Sequence, residues 1–541
     1  MPSRLPRDLG AARFDVIVVG AGINGAGVAR DAARRGLRVL LLDKGDLGGG
    51  TTAWSSRLIH GGLRYLEYGE LGLVRESLRE RETLLRVAPH LVRPLPLLIP
   101  VYRGQRRGPL TVRAGMLAYD LLSPGKSLPR HRSLTPAQAT RRAPGLNPEG
   151  LRAAFLFYDA QVTYAERLAV ENALDARARG ATVVTYARVR TLLREGDAVA
   201  GVEFEDLLGG GRVHAARAPL VLNAAGPWAD ELLEAAGAGG TRLLGATKGS
   251  HAVVACFEGA PGVALYVEAR ADSRPFFILP WDGKLLLGTT DERFEGDPDR
   301  VAATAPEIDY ILRETNRALP AARLTRASVL YAYAGVRPLA FVGAREEAAV
   351  TRRHFIRAAR LRGLFSVVGG KLTTYRSLAA EATDLLFRQL GRTPPPCDTA
   401  RTPLPGAAVA DWAAFSASFI RQSALPRPSA ARLLAVYGAR AAEVERLARG
   451  HRELGRCVSE ETGTVGAEVV HAFRNELAET LADCLLRRTM TGLNSRLGLD
   501  AAARAAQVAQ QFLGWDDARA AREVEDYRRS VERFQIQPIA D

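Results

Sequence analysis

Residues 14–25 read Phe-Asp-Val-Ile-Val-Val-Gly-Ala-Gly-Ile-Asn-Gly, and this stretch decides the fold. The apolar, β-branched run that ends at Val19 predicts a buried strand of a parallel sheet. A G-x-G-x-x-G turn follows it and opens a segment with apolar residues at helical spacing, which Gly36 ends. A second apolar strand over 37–42 then leads to Asp43. Strand, glycine turn, helix and acidic strand end, in that order, indicate a dinucleotide-binding βαβ unit.

The three glycines of the turn each have a physical role in such a unit. Gly20 permits the tight turn, Gly22 lets the backbone approach a pyrophosphate, and Gly25 lets helix and strand pack closely. The helix N-terminus offers N–H groups and a positive dipole end to the phosphates. Asp43 would accept hydrogen bonds from ribose hydroxyls and would repel a 2′-phosphate, which disfavours an NADP-type ligand. The turn by itself does not distinguish FAD from NAD.

The composition is that of a globular protein, with 47% hydrophobic and 25% charged residues among 541. This length predicts several domains, and no apolar run approaches the roughly 18 residues of a membrane span. Residues 1–12 carry arginines without an apolar core, so we expect no secretory signal there. The four cysteines form no C-x-x-C pair, so neither a disulfide framework nor a metal site is predicted.

The formal net charge of +15 has three interpretations. Only five of the 74 basic residues are lysines, which indicates a compositional preference for arginine and favours an ordinary solvated surface. A basic face toward an anionic membrane is the second interpretation. Nucleic-acid binding is the weakest, because no basic stretch is interleaved with aromatic residues. The preference for arginine makes Lys248 and Lys371 informative, since each persists where arginine is the usual choice.

Alternating strand and helix patterns up to about residue 395 predict an α/β or α+β fold. Two apolar runs around Asp282-Gly283 predict a β-hairpin. Five prolines within 393–405 indicate a linker. Beyond it we predict no strand, only helices over 409–422, 428–448, 466–488 and 499–533.

Six further blocks follow the glycine turn along the chain. They are TTAWSSRLIHGGLRYLE at 51–67, NAAGPW at 223–228, KGSH at 248–251, GTTD at 288–291, GVRPL at 335–339 and GGKLTTYR at 369–376. In this order they closely resemble the FAD-dependent, aerobic glycerol-3-phosphate dehydrogenases, over about residues 14–380. The helical tail is similar to the C-terminal domain of that family. Any one block could arise by chance, but six in order are highly specific.

The resemblance implies a D-amino-acid-oxidase-type fold, in which a Rossmann-like FAD-binding domain and a sheet-based substrate domain occupy residues 12–395. The expected FAD-binding segments are about 12–88, 150–235 and 340–392, the inserted substrate-binding segments about 89–149 and 236–339, the linker 396–405 and the helical C-terminal domain 406–541. The implied reaction is oxidation of sn-glycerol 3-phosphate to dihydroxyacetone phosphate, with hydride transfer to FAD and electrons passed to membrane quinone.

A phosphomonoester substrate needs cations and hydrogen-bond donors in a concave site, and arginine offers a fork that matches phosphate. By resemblance, Arg64, Arg337 and Arg352 contact the substrate phosphate, with Tyr65 as a hydroxyl donor. Arg352 departs from the family pattern, because Arg353 follows it where an acidic residue is usual. Each of these arginines has a simpler alternative role in a surface ion pair.

The reaction needs a base for the hydroxyl proton, with a pKa near neutrality. His60, which is followed by Gly61 and Gly62, is the first candidate, and His251 is the second. Lys371, if neutral, is a third; as a cation it would stabilise anionic flavin or the substrate oxygen. The same argument applies more weakly to Lys248. The alternatives are a buried structural histidine and a lysine paired with a carboxylate.

Further cofactor contacts follow from the resemblance. They are Ser55, Ser56, Arg57, Gly226, Gly369, Gly370, Lys371, Leu372 and Thr373. Glycines at the end of the strand over 364–368 would let the backbone approach the flat flavin ring. The block Arg487-Arg488-Thr489 matches the tail of the family, with packing or a dimer contact as its expected role.

Attachment to the inner face of the cell membrane from the cytoplasm is implied by the quinone, and a homodimer is possible. Because no segment is expected to span the membrane, the expected mode of attachment is monotopic, through a basic surface and an amphipathic element. The apolar residues 109–122 are one candidate element, although a buried core helix is the favoured interpretation. Competing functions are a glycerophosphate oxidase using O2, an amine or amino-acid oxidase, an FAD-containing RNA-binding or RNA-modifying protein, and a flavin-stabilised interaction protein.

Overall fold

The computed structural model describes residues 5–6, 9–235, 237, 242–341 and 353–536, so Arg352 lies outside the described residues. The strands in chain order are β1 Val16–Val19, β2 Val39–Leu42, β3 Leu58–Ile59, β4 Val92–Tyr102, β5 Arg132–Leu134, β6 Leu151–Val162, β7 Thr182–Val184, β8 Ala187–Glu195, β9 Ala198–Asp206, β10 Arg212–Arg217, β11 Val221–Asn223, β12 Thr247–Ala255, β13 Ala264–Glu268, β14 Pro275–Trp281, β15 Lys284–Gly288, β16 Glu292–Arg293, β17 Val329–Arg337, β18 Phe355–Ala358, β19 Leu364–Val368, β20 Cys457–Ser459 and β21 Thr464–Val465. The α-helices are α1 Ile23–Arg34, α2 Leu71–Val87, α3 Pro109–Leu121, α4 Pro136–Arg142, α5 Ala165–Ala178, α6 Ala229–Ala235, α7 Ala305–Ala318, α8 Tyr375–Gln389, α9 Trp412–Gln422, α10 Arg427–Tyr437, α11 Ala441–Gly450, α12 Gly466–Asn475, α13 Leu481–Asp483, α14 Ala502–Leu513 and α15 Asp517–Val531.

A six-stranded sheet in the order β18-β19-β11-β1-β2-β7 carries the glycine turn. β1 is parallel to β2 on one side and to β11 on the other, so Val19 lies opposite both Leu42 and Asn223. Each of β1, β2 and β11 is buried along its whole length, which explains their continuous apolar composition. β1 thus lies between the next strand of the chain, β2, and the much later strand β11. Ligands bind at such a switch point, outside the carboxyl ends of the strands. The predicted βαβ unit is confirmed.

A mixed sheet in the order β16-β12-β15-β14-β13-β4-β6-β3 forms the second layer, with β17 beside β12 and β5 beside β6. The predicted hairpin is confirmed as β14–β15, where Asp282 and Gly283 both have positive φ, as its tight turn requires. β3 and β6 belong to this sheet, although we predicted both for the FAD-binding segments.

Strand β4 contains three prolines, which are unusual inside a strand. Its Pro94, Pro96 and Pro100 occupy alternate positions, so their missing N–H groups fall on one edge. The other edge is then free to pair with β6 from Val92 to Tyr102. β13 pairs with β4 only at Leu97 and Leu98.

The helical C-terminal region is confirmed, with corrections in detail. The predicted helix 428–448 is two helices, α10 and α11, which meet at Gly438 with φ +60°. The predicted helix 499–533 is likewise α14 and α15, because Gly514 takes a left-handed conformation that ends α14. α12 ends at Asn475 and is followed by α13 and a π-helical turn, Cys484–Arg488. The short hairpin β20–β21 is present where we predicted no strand.

Residues 393–404 form neither helix nor strand, as the linker prediction requires. They are nevertheless packed against the part of the chain that precedes them. Leu404 is fully buried, and Asp398 forms an ion pair with Arg34 of α1. One apolar cluster includes Trp281 of the large sheet together with Leu485 and other residues of the C-terminal helices. The helical region therefore shares a core with the rest of the chain.

Helix α3 corrects the favoured interpretation of residues 109–122. Only its Met116 and Tyr119 are buried, whereas Leu110 and Leu121 are 82% and 81% exposed. A third leucine, Leu117, is half exposed. The helix thus presents an apolar face to solvent.

Candidate functional site

An elongated cavity of about 780 Å³ follows the carboxyl edge of the six-stranded sheet. Nine of the residues predicted to contact the cofactor line it: Gly20, Gly22, Asp43, Ser55, Gly226, Gly369, Gly370, Lys371 and Leu372. They come from sequence blocks up to about 350 residues apart, and the fold brings them to one wall. The cavity is therefore the site at which the motifs converge.

The glycine turn fits a closely approaching ligand. A Cβ on Gly25 would lie 1.8 Å from the Gly20 carbonyl oxygen, so Gly25 allows α1 to pack against the end of β1. Gly20 has φ +105°, and a Cβ there would lie 2.5 Å from the Ala224 oxygen. Gly22, the N-cap of α1, has no side-chain cap, and a Cβ there would lie 3.5 Å from the Thr52 hydroxyl. The helix N-terminus therefore faces the cavity with backbone donors, which is the arrangement that a pyrophosphate requires.

Asp43 holds the turn and faces the cavity. One carboxylate oxygen accepts from the Ala21 N–H at 2.5 Å, and the other from the Gly45 N–H at 2.8 Å. Burial raises the pKa of Asp43, while these two hydrogen bonds oppose the shift. Each carboxylate oxygen has a further lone pair, so the residue fits the hydroxyls of a ribose. The turn, the cavity and Asp43 together fit FAD.

Arg57 is a correction to the predicted cofactor contacts. Its guanidinium is fully buried away from the cavity and forms two hydrogen bonds with Glu166, at 2.7 and 2.8 Å. A buried, doubly hydrogen-bonded pair of this kind fixes the loop between β2 and β3 rather than binding ligand. Three further predicted contacts do not line the cavity: Gly25, Ser56 and Thr373.

Lys371 lines the cavity, and His60 and Tyr65 lie beside Lys371 without lining the cavity themselves. The Lys371 ammonium lies 4.3 Å from the centre of the Tyr65 ring and donates to the Ser77 hydroxyl at 2.8 Å. The His60 N–H donates to the Thr373 hydroxyl at 3.1 Å, which fixes the backbone there. Burial, and then the charge of Lys371, lower the pKa of His60 to about 3. His60 is therefore neutral and lies beside the Lys371 cation, which lines the cavity.

Arg64 and Tyr65 lie on a 3-10 helix, Leu63–Tyr68, between two glycines with positive φ, Gly62 and Gly69. The Arg64 Nη2 donates to the Tyr68 hydroxyl at 3.3 Å, and its Nε is buried without a hydrogen-bond partner among the described residues. A buried, unpaired guanidinium nitrogen fits an anionic ligand.

Arg337 ends strand β17. Its Nη1 donates to Asp291 at 3.0 Å and its Nη2 to the Thr289 hydroxyl at 3.0 Å. The next residue, Pro338, accepts a hydrogen bond from the Gly369 N–H at 2.8 Å. This bond places the end of β17 beside the stretch that carries Lys371.

His251 and Lys248 have structural partners. The His251 Nε2 is hydrogen-bonded to the Ser56 hydroxyl at 2.8 Å, and its ring stacks on Tyr333 with the centroids 4.9 Å apart. Burial, followed by the charges of Arg337 and Arg57, lowers the pKa of His251 to about 3. Lys248 forms an ion pair with Glu307 at 2.8 Å, in agreement with the alternative that we gave for it.

The cavity lining includes residues that the sequence analysis did not predict as ligand contacts, among them two arginines of the C-terminal region. Arg487 and Arg533 line the wall from the C-terminal region. The Arg487-Arg488-Thr489 block stood out in the sequence, but the pattern alone does not show which carboxylates it faces. Within the described residues, no three side chains of the metal-binding types converge, and no helix is long and apolar enough to cross a membrane.

Comparison with known families assigns the class of this fold and site. The family model described as FAD dependent oxidoreductase matches residues 15–376, and that described as C-terminal domain of alpha-glycerophosphate oxidase matches residues 397–520. The protein is thus an FAD-dependent oxidoreductase with an appended helical domain.

Relatives narrow this class. A glycerol-3-phosphate dehydrogenase of Synechocystis is 44% identical over 96% of each chain, and a D-erythritol 1-phosphate dehydrogenase of Brucella abortus is 38% identical over 93% of this chain and 97% of that one. The crystal structure of glycerol-3-phosphate dehydrogenase from Bacillus halodurans complexed with FAD has a TM-score of 0.79, with 26% identity over 99% of this chain and 97% of that one. The chain belongs to the glycerol-3-phosphate dehydrogenase family.

Proposed function

We propose that the protein oxidises sn-glycerol 3-phosphate to dihydroxyacetone phosphate and passes the electrons to a membrane quinone. The observation that carries this proposal is the grouping of His60 and Tyr65 around Lys371, which lines the cofactor cavity. FAD, when bound, supplies the acceptor for the hydride from carbon 2. The residues of this chain bind the phosphate, orient the alcohol and accept its proton.

Arg64, Tyr65 and Arg337 bind the phosphate in this proposal. The unpaired Nε of Arg64 and the hydroxyl of Tyr65 supply donors from the 3-10 helix. Arg337 is held in place by Asp291 and Thr289, so little of its side-chain entropy is lost on binding. Arg352, outside the described residues, stays a prediction.

His60 is the base. It is neutral before substrate binds, so it has a lone pair for the hydroxyl proton. A base with a pKa near 3 is weak, but a bound phosphate dianion would raise the pKa toward neutrality. Lys371 stabilises the negative charge that develops on the substrate oxygen as the proton leaves. His251 supports the loop through Ser56 instead, because its Nε2 is already hydrogen-bonded there.

The test is anaerobic reduction of the purified holoenzyme. We expect glycerol 3-phosphate to bleach the visible flavin band, and glycerol and amino acids to leave it unchanged. D-erythritol 1-phosphate is the informative comparison, because one relative carries that name. Faster bleaching by the longer substrate, or by an amino acid, would overturn the assignment. No bleaching in a fully flavinated sample would point to the RNA-binding or structural alternatives.

The electron acceptor needs its own experiment. After reduction by substrate, the enzyme is mixed rapidly with a short-chain quinone or with oxygenated buffer. Reoxidation by quinone at least 100-fold faster than by oxygen supports a dehydrogenase. Rapid formation of hydrogen peroxide would instead make the protein a glycerophosphate oxidase.

Helix α3 supports attachment to the inner face of the cell membrane. Its exposed leucines, Leu110, Leu117 and Leu121, form an apolar face on a chain of net charge +15. Such a face, with a basic surface around it, fits an anionic bilayer. The replacement of all three by serine should abolish sedimentation with vesicles containing anionic lipid. The control is Leu208→Ser, which removes a similarly exposed leucine from the β9–β10 turn. Equal sedimentation of both variants would exclude α3.

A further inference from the structure

The C-terminal helical region forms part of the wall of the cofactor cavity. Arg487, from the π-helical turn, and Arg533, from the end of the chain, both line it. The other lining residues lie at or before Leu372 in the sequence. Two cations from the helical region therefore face a site whose expected ligand carries an anionic pyrophosphate.

Arg487 belongs to a buried ion-pair group centred on Asp46. The Arg487 Nε donates to Asp46 at 2.5 Å, and Arg488 donates to both carboxylate oxygens, at 2.8 and 2.6 Å. The side chains of Arg488 and Asp46 are 0% and 1% exposed. Removal of one member of such a group leaves an uncompensated buried charge. We call Asp46, Arg487 and Arg488 the latch.

The latch holds the loop that carries Asp43. Asp46 lies three residues after Asp43 and itself lines the cavity. On the far side of the latch, Arg487 Nη2 donates to Asp483 at 2.7 Å, and Asp483 accepts from the Tyr186 hydroxyl at 2.7 Å. The backbone next to Tyr186 is bonded directly to Asp43, because the Ala187 N–H donates to the Asp43 carbonyl at 2.7 Å. The helical region thus fixes both chain segments that flank Asp43.

Arg533 has a different environment. It donates to the Val301 carbonyl at 3.1 Å and lies 5.9 Å from the ring centre of Trp54. Among the described residues, no carboxylate lies within ion-pair distance of its guanidinium. Burial, which is only partly offset by the charge of Asp299, lowers the pKa of Arg533. A half-buried cation with neutral contacts on a cavity wall fits an anionic ligand.

We propose that the C-terminal helical region is an integral part of the FAD site: Arg533 pairs with the pyrophosphate, and the latch positions the loop of Asp43. By linkage, bound FAD strengthens the docking of the helical region by the same factor by which docking strengthens FAD binding. This inference rests on the cofactor site and is independent of the substrate proposed above.

The first experiment measures FAD release from diluted holoenzyme by the rise of free-flavin fluorescence, without substrate. Arg533→Gln should release FAD about tenfold faster, since it loses one charge-assisted contact. Arg533→Lys keeps the charge and should stay within about threefold of the parent. Arg528→Gln, an exposed position on α15, makes the same change in net charge and should release FAD at the parental rate.

The dependence of the FAD release rate on ionic strength distinguishes the loss of a charge from a loss of packing. Higher ionic strength should accelerate release from the parent more than from Arg533→Gln. If Arg533→Gln purifies without flavin, Arg533→Lys decides: normal retention supports the pairing, and loss by both variants contradicts it. Release from Arg533→Gln at the rate of Arg528→Gln would also overturn the proposal.

The latch has a matched control within the same region. Arg487 and Arg440 are 11% and 13% exposed, and each forms ion pairs with two carboxylates, but only Arg487 lines the cavity. Arg487→Gln should therefore accelerate FAD release about tenfold, and Arg440→Gln should not.

Hydrogen exchange supplies the second readout. In the parent, FAD should slow exchange over 481–488, and Arg487→Gln should lose that protection. Equal FAD release by the two variants, or exchange over 481–488 that FAD leaves unchanged in the parent, would contradict the role of the latch.

Discussion

At the scale of single residues, two histidines with lowered pKa values show how the surroundings of a side chain decide its role. His60 and His251 both have pKa values lowered to about 3, first by burial. His60 lies beside Lys371, which lines the cavity, whereas His251 is hydrogen-bonded to Ser56. We therefore expect His60→Asn to lower kcat by about 10²–10⁴-fold without loss of FAD. Single-turnover flavin reduction measures this, and a rate near that of the parent would remove His60 as the base.

His251 is expected to make the stability depend on pH. Its pKa is about 6.5 when the chain is unfolded and about 3 in the fold, so the unfolded state binds the proton more readily. Stability is full above pH of about 6.5 and falls as the pH drops toward 3. At pH 5, the loss of unfolding free energy caused by His251 reaches about 2 kcal/mol.

Urea unfolding of the holoenzyme at pH 7.5 and at pH 5 checks this dependence. His251→Asn should lose less stability between the two values than the parent does. If the variant has the same pH dependence as the parent, protonation of His251 in the folded protein does not lower the stability.

At the scale of elements, the 3-10 helix over 63–68 depends on its two flanking glycines. Gly62 has φ +80°, and a Cβ there would lie 2.2 Å from the Tyr65 ring. Gly69 has φ +70°, but a Cβ there would meet nothing within 4 Å. Both alanine substitutions carry a backbone cost of about 1 kcal/mol. Only Gly62→Ala also displaces the side chain of Tyr65, which we propose to bind the substrate phosphate.

We therefore expect Gly62→Ala to lower kcat/KM for glycerol 3-phosphate at least tenfold, and Gly69→Ala to change it by less than threefold. Steady-state kinetics with both variants, at matched flavin content, provide the measurement. Similar losses in the two would mean that strain in the element, rather than the position of Tyr65, controls activity.

At the scale of the whole molecule, the helical region does not stand apart. It shares an apolar cluster with the large sheet, and Arg167 of α5 forms a fully buried ion pair with Glu476 at 2.6 Å. We expect one cooperative unfolding transition, since neither part keeps its core without the other. Pulse-labelled hydrogen exchange in urea should give the same midpoint for peptides from β1 and from α12. Labelling of α12 at a clearly lower urea concentration would contradict this.

Much of the fold and part of the site could be predicted from the sequence. The βαβ unit, the β14–β15 hairpin and the helical tail follow from local patterns, and the glycine blocks lead to the cavity wall. Strand β4 escaped because a strand tolerates alternate prolines only if its other edge is paired, and β6 lies about 60 residues away. Helix breaks such as Gly514 were missed because the apolar spacing continues across them.

The sequence by itself determined the cofactor-binding unit, because a glycine turn and the apolar strands beside it act on their immediate neighbours. It did not determine which arginine does what in a chain with 74 basic residues. Arg57 became structural through Glu166, 109 residues away, and Arg487 joined the cavity wall through Asp46, 441 residues away. The role of a long cationic side chain depends on the carboxylate or ligand buried beside it, and only the tertiary structure brings that partner into contact.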